Sequence, residues 1–285
     1  MDDHEQKIEK LKAYFEKRDD VVMAFLFGSQ AEERAHASSD WDIAVYFKPE
    51  RERVEFEADH KEYGQEHDVW SDVECIVGSE VDLLVLNRIA ASIADTAIQG
   101  IQLVIKDWGL WLEFMLAVSR EAEDFRKTAK EYAEVYWRSA SLSERDAHIL
   151  ERRLVFLDSE LQVLPEYVAL TWLDYQQHRD KQRQVERLIE NVINAVIDIT
   201  KTILASEKRP IPSSYKGMVR EACAILSFPL EAADQFAEWA ELRNILAHEY
   251  LDYRWDKIHP FLEKAEPILL SFVRTVRAFI EKQNH

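Results

Sequence analysis

Asp40 and Asp42 stand one residue apart where the chain enters the apolar run Ile43-Ala44-Val45-Tyr46-Phe47. Side chains alternate across a strand, so both carboxylates point to the same face. A pair of carboxylates at that spacing suits a hard divalent cation such as Mg²⁺. Asp82 opens a second apolar run, Leu83-Leu84-Val85-Leu86, and is the natural third carboxylate. Three such groups at one sheet edge can hold two metal ions for in-line phosphoryl chemistry. Upstream, Gly28-Ser29 closes the run VVMAFLF. Glycine there lets the backbone approach a phosphate, and the N–H groups of a following helix receive its charge. A D-x-D pair alone is an ordinary way to solvate the start of a strand. The Gly-Ser at a fixed distance and the third Asp on a following run are what point to catalysis.

A second group lies late in the chain, in Glu241-Leu242-Arg243-Asn244-Ile245-Leu246-Ala247-His248-Glu249-Tyr250. His248 can act as a general acid or base near neutral pH. Arg243 can stabilise the charge of a phosphorane-like transition state. RNA supplies its own nucleophile, the 2′-OH, so these two roles suffice for cleavage without metal. On one ideal helix Arg243 and His248 sit about 140° apart, whereas Arg243 shares a face with Tyr250. One helix does not close a cleft, and a two-fold dimer offers both copies to a shared one. The plainer reading is a solvated Arg bridged by Glu241, with His248 and Tyr250 on the surface or in the core.

The elements that must position these residues change character along the chain. Residues 5–18 have helical spacing, with Ile8, Leu11 and Phe15 on one face. Three apolar runs, at 21–27, 42–47 and 81–86, predict strands. Residues 50–72 are charged and predict a helix, and 89–105 predict an amphipathic helix. Beyond Trp108 the strand signal ends. Helices are predicted at 110–138, 144–164, 166–178, 181–206, 215–226, 231–250 and 256–282, with Lys208–Ser214 a loop marked by Pro210 and Pro212. Ser141-Leu142-Ser143-Glu144 has capping-box spacing and sets the expected boundary. The predicted class is α+β: a small α/β domain over 1–140, then an all-α bundle over 141–285.

Composition bounds the rest. Six Gly, seven Pro and 32% charged residues favour helix. The net charge of −18 excludes a general nucleic-acid coat. The acidity lies mostly in the first 140 residues, with 17 Lys and Arg against 31 Asp and Glu; the remainder holds 19 against 23. Two cysteines, Cys75 and Cys223, make neither a disulfide framework nor a zinc site. The charged N-terminus predicts no signal peptide, and no apolar run reaches membrane-spanning length. A cytoplasmic protein with no membrane partner is the expectation. Most of the eight Trp read as core or interface anchors. The other histidines read as surface or structural, the aromatic stretch Tyr132–Trp137 as a packing helix, and Arg179–Arg187 as a solvated face.

Gly28-Ser29, ten residues, then Asp40-Trp41-Asp42 resembles the G-S-x10-D-x-D signature of the DNA polymerase β-like nucleotidyltransferases. Val81-Asp82-Leu83 resembles that family's third-carboxylate strand, and Ser39 before the first Asp also matches. The resemblance implies transfer of a nucleoside monophosphate from an NTP such as ATP, with pyrophosphate leaving. Mg²⁺ would lie at Asp40, Asp42 and Asp82, and the nucleotide at Gly28, Ser29 and Ser39. The loop after Gly28-Ser29 often carries another glycine in that family; here it reads Ala31-Glu32-Glu33-Arg34, which bears on nucleotide fit and not on the metal site. Arg243 to His248 resembles the R-x4-H motif of HEPN domains, and Tyr250 extends it to R-x4-H-x-Y. Much of 144–262 looks like the HEPN toxin encoded beside a minimal nucleotidyltransferase antitoxin. That pairing implies adenylylation of Tyr250, silencing of a ribonuclease built on Arg243 and His248, and a homodimer through the HEPN domain with RNA as target. Two alternatives stand beside it: an aminoglycoside-type antibiotic nucleotidyltransferase with a helical domain, and a non-catalytic nucleotide-binding dimer.

Overall fold

A computed structural model describes residues 3–31, 40–49, 54–58, 61–248 and 251–283, and of residues 244, 247, 248 and 251–253 the backbone alone. The chain divides into two compact units, Met1–Asp124 and Phe125–His285. The first contains α1 (Asp3–Glu16), β1 (Val21–Phe27), a 3-10 turn at Gly28–Gln30, β2 (Trp41–Phe47), α2 (Glu66–Val77), β3 (Val81–Val85), α3 (Ala91–Ala97) and β4 (Ile101–Ile105). α4 (Trp108–Arg138) spans the division. The second unit continues with α5 (Glu144–Val163), a 3-10 turn at Leu164–Tyr167, α6 (Trp172–Gln177), α7 (Arg179–Ser206), α8 (Tyr215–Ile225), α9 (Leu230–Ala240), α10 (Leu242–His248) and α11 (Leu251–Gln283).

The four strands form one sheet in the order β3-β2-β1-β4. β1 pairs antiparallel with β2 and β4, and β2 pairs parallel with β3. Alternation along β2 sorts its side chains between two apolar layers. Trp41, Ile43, Val45 and Phe47 pack with Ile8, Leu11 and Phe15 of α1 and with Val69, Val73 and Val77 of α2. Ala44 and Tyr46 face the other way, onto Ala91 and Ala94 of α3 and Phe114 and Val118 of α4. Asn87, fully buried just after β3, accepts from the Phe47 amide and donates to the Phe47 carbonyl, closing the end of β2.

The structure corrects several sequence expectations. A fourth strand, β4, and the short α3 replace the single helix predicted over 89–105. Gly100 makes the break: a Cβ there would lie 2.2 Å from the Leu26 carbonyl oxygen, so only glycine lets β4 close on β1. The helix predicted over 50–72 begins only at Glu66. Its charged N-terminal part serves tertiary bonds instead, with Glu55 taking Lys61 and Tyr63 and Glu57 accepting from the Ala91 amide at the start of α3. Residues 50–53 and 59–60 of that segment lie outside the described residues. The units divide at Asp124, inside α4, and not at Ser141: Phe114 and Val118 pack on the sheet, whereas Phe125 and Tyr132 belong to the helical core.

The helix start near Ser141 is real, but its cap is Ser143, whose hydroxyl accepts from the Asp146 amide. The helix predicted over 231–250 is broken at Glu241 into α9 and α10. α7 is the central helix of the second unit, with Val185, Leu188, Ile189, Val192, Ile193 and Val196 buried at helical spacing. Among the Trp anchors, Trp41 and Trp239 are buried, but Trp108 and Trp137 are exposed. Among the described residues no helix is long and apolar enough to cross a membrane.

Candidate functional site

In the first unit Gly28, Asp42 and Asp82 meet at one end of the sheet. β1 ends at Phe27, opposite Asp42 in the antiparallel register. Gly28 follows with φ +69°, turning the chain into Gly28–Gln30. A Cβ on Gly28 would lie 2.1 Å from Asp42 Oδ2 and 2.9 Å from Asp42 Cγ. The Gly28 backbone is therefore packed against the Asp42 carboxylate, and both the torsion and the contact require glycine. This contact links the Gly-Ser step to the D-x-D pair, as a site that brings phosphate and carboxylate-bound cation together requires.

Asp42 and Asp82 are register partners on the adjacent parallel strands β2 and β3. Their neighbours on those strands set the direction: Trp41, Val81 and Val85 point into the α1/α2 layer, so Asp42 and Asp82 share the opposite face. Trp41 anchors the start of β2 from beneath, buried and 5.2 Å from the His4 ring. Burial pushes the Asp42 carboxyl above the usual carboxylate range, and the negative charges of Asp82 and Asp40 push it the same way. No described side chain pairs with the Asp42 carboxylate; its charged neighbours are two further carboxylates. Repelling oxygen donors of this kind are the set a hard divalent cation relieves. Asp40 is exposed just ahead of β2. Among the described residues no three His, Cys, Asp or Glu side chains close on a single point. The structure thus brings Asp42 and Asp82 side by side and leaves Asp40 at the margin. Ser39 and the loop 32–39 lie outside the described residues.

In the second unit Arg243 sits in the first turn of α10, half-buried. Its Nε donates to Asn194 Oδ1 at 3.1 Å and its Nη1 to the Tyr215 hydroxyl at 2.9 Å. The guanidinium also lies 4.7 Å from the Tyr215 ring centroid. Tyr215 is buried, and its hydroxyl meets Thr128 Oγ1 at 3.0 Å. α10 carries His248 as its last residue, without a described side chain, and Tyr250 lies outside the described residues. The face shared by Arg243 and Tyr250 is therefore outside them too. Glu241 does not bridge Arg243; it takes Lys257 and the buried Lys216.

Sequence reasoning missed Asn194, Tyr215 and Thr128. They come from α7, α8 and α4, with no local motif to mark them, and Asn194 stands on a helix whose pattern otherwise signals only core. Of the residues set aside, Tyr132 is buried in the helical core while Trp137 is 81% exposed. Arg183 and Arg187 are exposed, and Arg187 pairs with Glu190 at 3.0 Å. Cys223 is a buried thiol whose pKa desolvation pushes up to about 12, and Cys75 is exposed; neither is in a disulfide.

Two families match the chain. Residues 9–108 match the polymerase beta nucleotidyltransferase family, and residues 157–276 match the ribonuclease HepT-like family. The first match contains Gly28, Asp40, Asp42 and Asp82; the second contains Asn194, Tyr215, Arg243, His248 and Tyr250. No curated protein matches the chain.

Proposed function

Because the chain joins a polymerase beta nucleotidyltransferase domain to a ribonuclease HepT-like domain, we propose that it is a fused toxin–antitoxin protein. In this reading the first domain transfers AMP from ATP to Tyr250 and so silences RNA cleavage by the second. The observation that carries the transferase half is the packing of Gly28 against the Asp42 carboxylate, with Asp82 beside it in register.

The roles follow from chemistry. The backbone at Gly28-Ser29, with Ser39, receives the triphosphate. Asp40, Asp42 and Asp82 would hold Mg²⁺, which supplies the positive charge that offsets charge on the transferred phosphoryl group. Asp82 accepts the proton of the acceptor hydroxyl. The acceptor oxygen bonds to the α-phosphorus as the bond to the bridging oxygen breaks and pyrophosphate leaves. In the second domain the RNA 2′-OH attacks its own phosphorus as the P–O5′ bond breaks, leaving a 2′,3′-cyclic phosphate; His248 carries the proton from the 2′-OH to the departing 5′-oxygen, and Arg243 stabilises the transition-state charge. An AMP on Tyr250 would add bulk and negative charge to the motif that contains Arg243. That phosphate can pair with the guanidinium and repels an RNA backbone. Fusion places transferase and target at high effective concentration. A homodimer through the helical domain would bring both copies of Arg243 and His248 to one cleft.

Intact mass after incubation with ATP and Mg²⁺ tests the transferase reading. One adenylyl group per chain, mapped to Tyr250 and absent in Asp42→Ala, is expected. Adenylyl groups found elsewhere and never on Tyr250 defeat the regulatory half. Transfer to an added aminoglycoside instead would favour the antibiotic-modifying alternative. In cells, Asp42→Ala should inhibit growth and Asp42→Ala with His248→Ala should restore it.

A further inference from the structure

We propose that Asn194 and Tyr215 are positioning residues that hold the Arg243 guanidinium in the orientation RNA cleavage needs; the proposal rests on the ribonuclease reading above. Arg243 is the one motif residue whose side-chain surroundings are described, and they are specific. A guanidinium is a rigid planar fork, so fixing two of its N–H groups fixes the plane and the direction of the rest. Asn194 takes Nε at 3.1 Å and Tyr215 takes Nη1 at 2.9 Å. The same phenol ring lies 4.7 Å from the guanidinium carbon, so the fork is held both in its plane and from one side.

Tyr215 is itself held. It opens α8 directly after the cap residue Ser214, whose hydroxyl accepts from the Gly217 amide at 3.1 Å. Its ring meets Phe125 edge-on at 5.3 Å, and its side chain is 2% exposed. Its oxygen accepts from Arg243 and also shares a hydrogen bond with Thr128 Oγ1 at 3.0 Å, in which either hydroxyl can donate. The result is a chain of hydrogen bonds from α4 through α8 and α10 to α7. Asn194 and Tyr215 are both neutral acceptors, so what they supply to Arg243 is orientation through hydrogen bonds. Fixed geometry of this kind suits an arginine that must meet a phosphate.

The test uses the full chain carrying Asp42→Ala, so that the helical domain is not silenced, and a single-stranded RNA substrate. Tyr215→Phe keeps the ring and removes the hydroxyl; Asn194→Ala removes the other acceptor. Each should lower kcat about tenfold while KM stays within about twofold, the signature of lost transition-state geometry. Neither should lower kcat further once Arg243→Ala is present, because the residues act through Arg243. A second readout is the ¹⁵N-resolved Nε–H proton of Arg243, assigned by its loss in Arg243→Lys. Its exchange with water should quicken about tenfold or more in Asn194→Ala, and measurably in Tyr215→Phe. Unchanged kcat in both variants, or effects that persist in the Arg243→Ala background, overturns the proposal. Unchanged proton exchange overturns it independently of catalysis. If neither the Asp42→Ala chain nor its Arg243→Ala derivative cleaves RNA, the ribonuclease reading fails, and the exchange measurement still decides whether these two residues hold the guanidinium.

Discussion

Replacing Gly28 by alanine tests the link between the Gly-Ser step and the carboxylates. The added Cβ would lie 2.1 Å from Asp42 Oδ2, where Cβ contacts under 3.0 Å essentially never occur, so the carboxylate must retreat by about 0.9 Å. The clash is with a side-chain tip, which can swing away, so it costs little stability. The φ of +69° adds about 1–2 kcal/mol for a residue with a Cβ. A displacement of about 1 Å at a catalytic group costs roughly a hundredfold in rate. Gly28→Ala should therefore melt only several degrees lower yet transfer AMP about a hundredfold more slowly, read by radiolabelled ATP incorporation. Gly100→Ala is the control. Its Cβ would meet the Leu26 backbone carbonyl at 2.2 Å, which cannot swing aside. It should destabilise the sheet more, while the fraction that stays folded transfers normally. A Gly28→Ala protein that transfers at the parent rate would refute the reasoning, because the contact would then have no bearing on the site.

Three further outcomes follow from single interactions. The folded-state pKa of Asp42 is raised, chiefly by desolvation and then by Asp82 and Asp40. Folded protein therefore binds this proton more tightly than unfolded, and the contribution is present below the ordinary carboxylate value and lost as pH rises through the raised one. Asp42→Asn should accordingly be more stable than the parent at neutral pH, a gap in Tm that closes on acidification; a constant gap contradicts the shift. Asn87→Leu should cost about 1–3 kcal/mol for each of the two Phe47 backbone groups it leaves buried and unbonded, measured by urea unfolding. Ser143→Ala should cost about 1 kcal/mol through loss of the α5 cap, with Ser141→Ala near neutral; the reverse ranking would place the cap at Ser141.

Local information carried most of the architecture. β1, β2 and β3 are legible because each is a short apolar run, and the helices of the second unit because their buried residues recur at helical spacing. Gly28, Asp40, Asp42 and Asp82 were legible as a group because side-chain alternation alone places two of them on one face, and register then adds the third strand. The same logic fails where a partner elsewhere in the chain decides. Residues 101–105 alternate too weakly to declare a strand, and β4 exists because Gly100 admits the Leu26 carbonyl. Residues 54–58 carry helix-favouring charges, but the Glu55 carboxylate is spent on Lys61 and Tyr63, the Glu57 carboxylate on the α3 amide, and the Glu55 backbone N–H on the Tyr46 hydroxyl. Arg243 could be singled out from its motif, but not Asn194, 49 residues before it, or Tyr215, 28 before it. A hydrogen bond between helices depends on which faces the packed core turns toward each other, and that is set only when α7, α8 and α10 come together. The sequence alone therefore marked which residues are candidates for chemistry; the tertiary structure decided which neighbours hold Arg243 and Asp42, because those neighbours meet only in the folded chain.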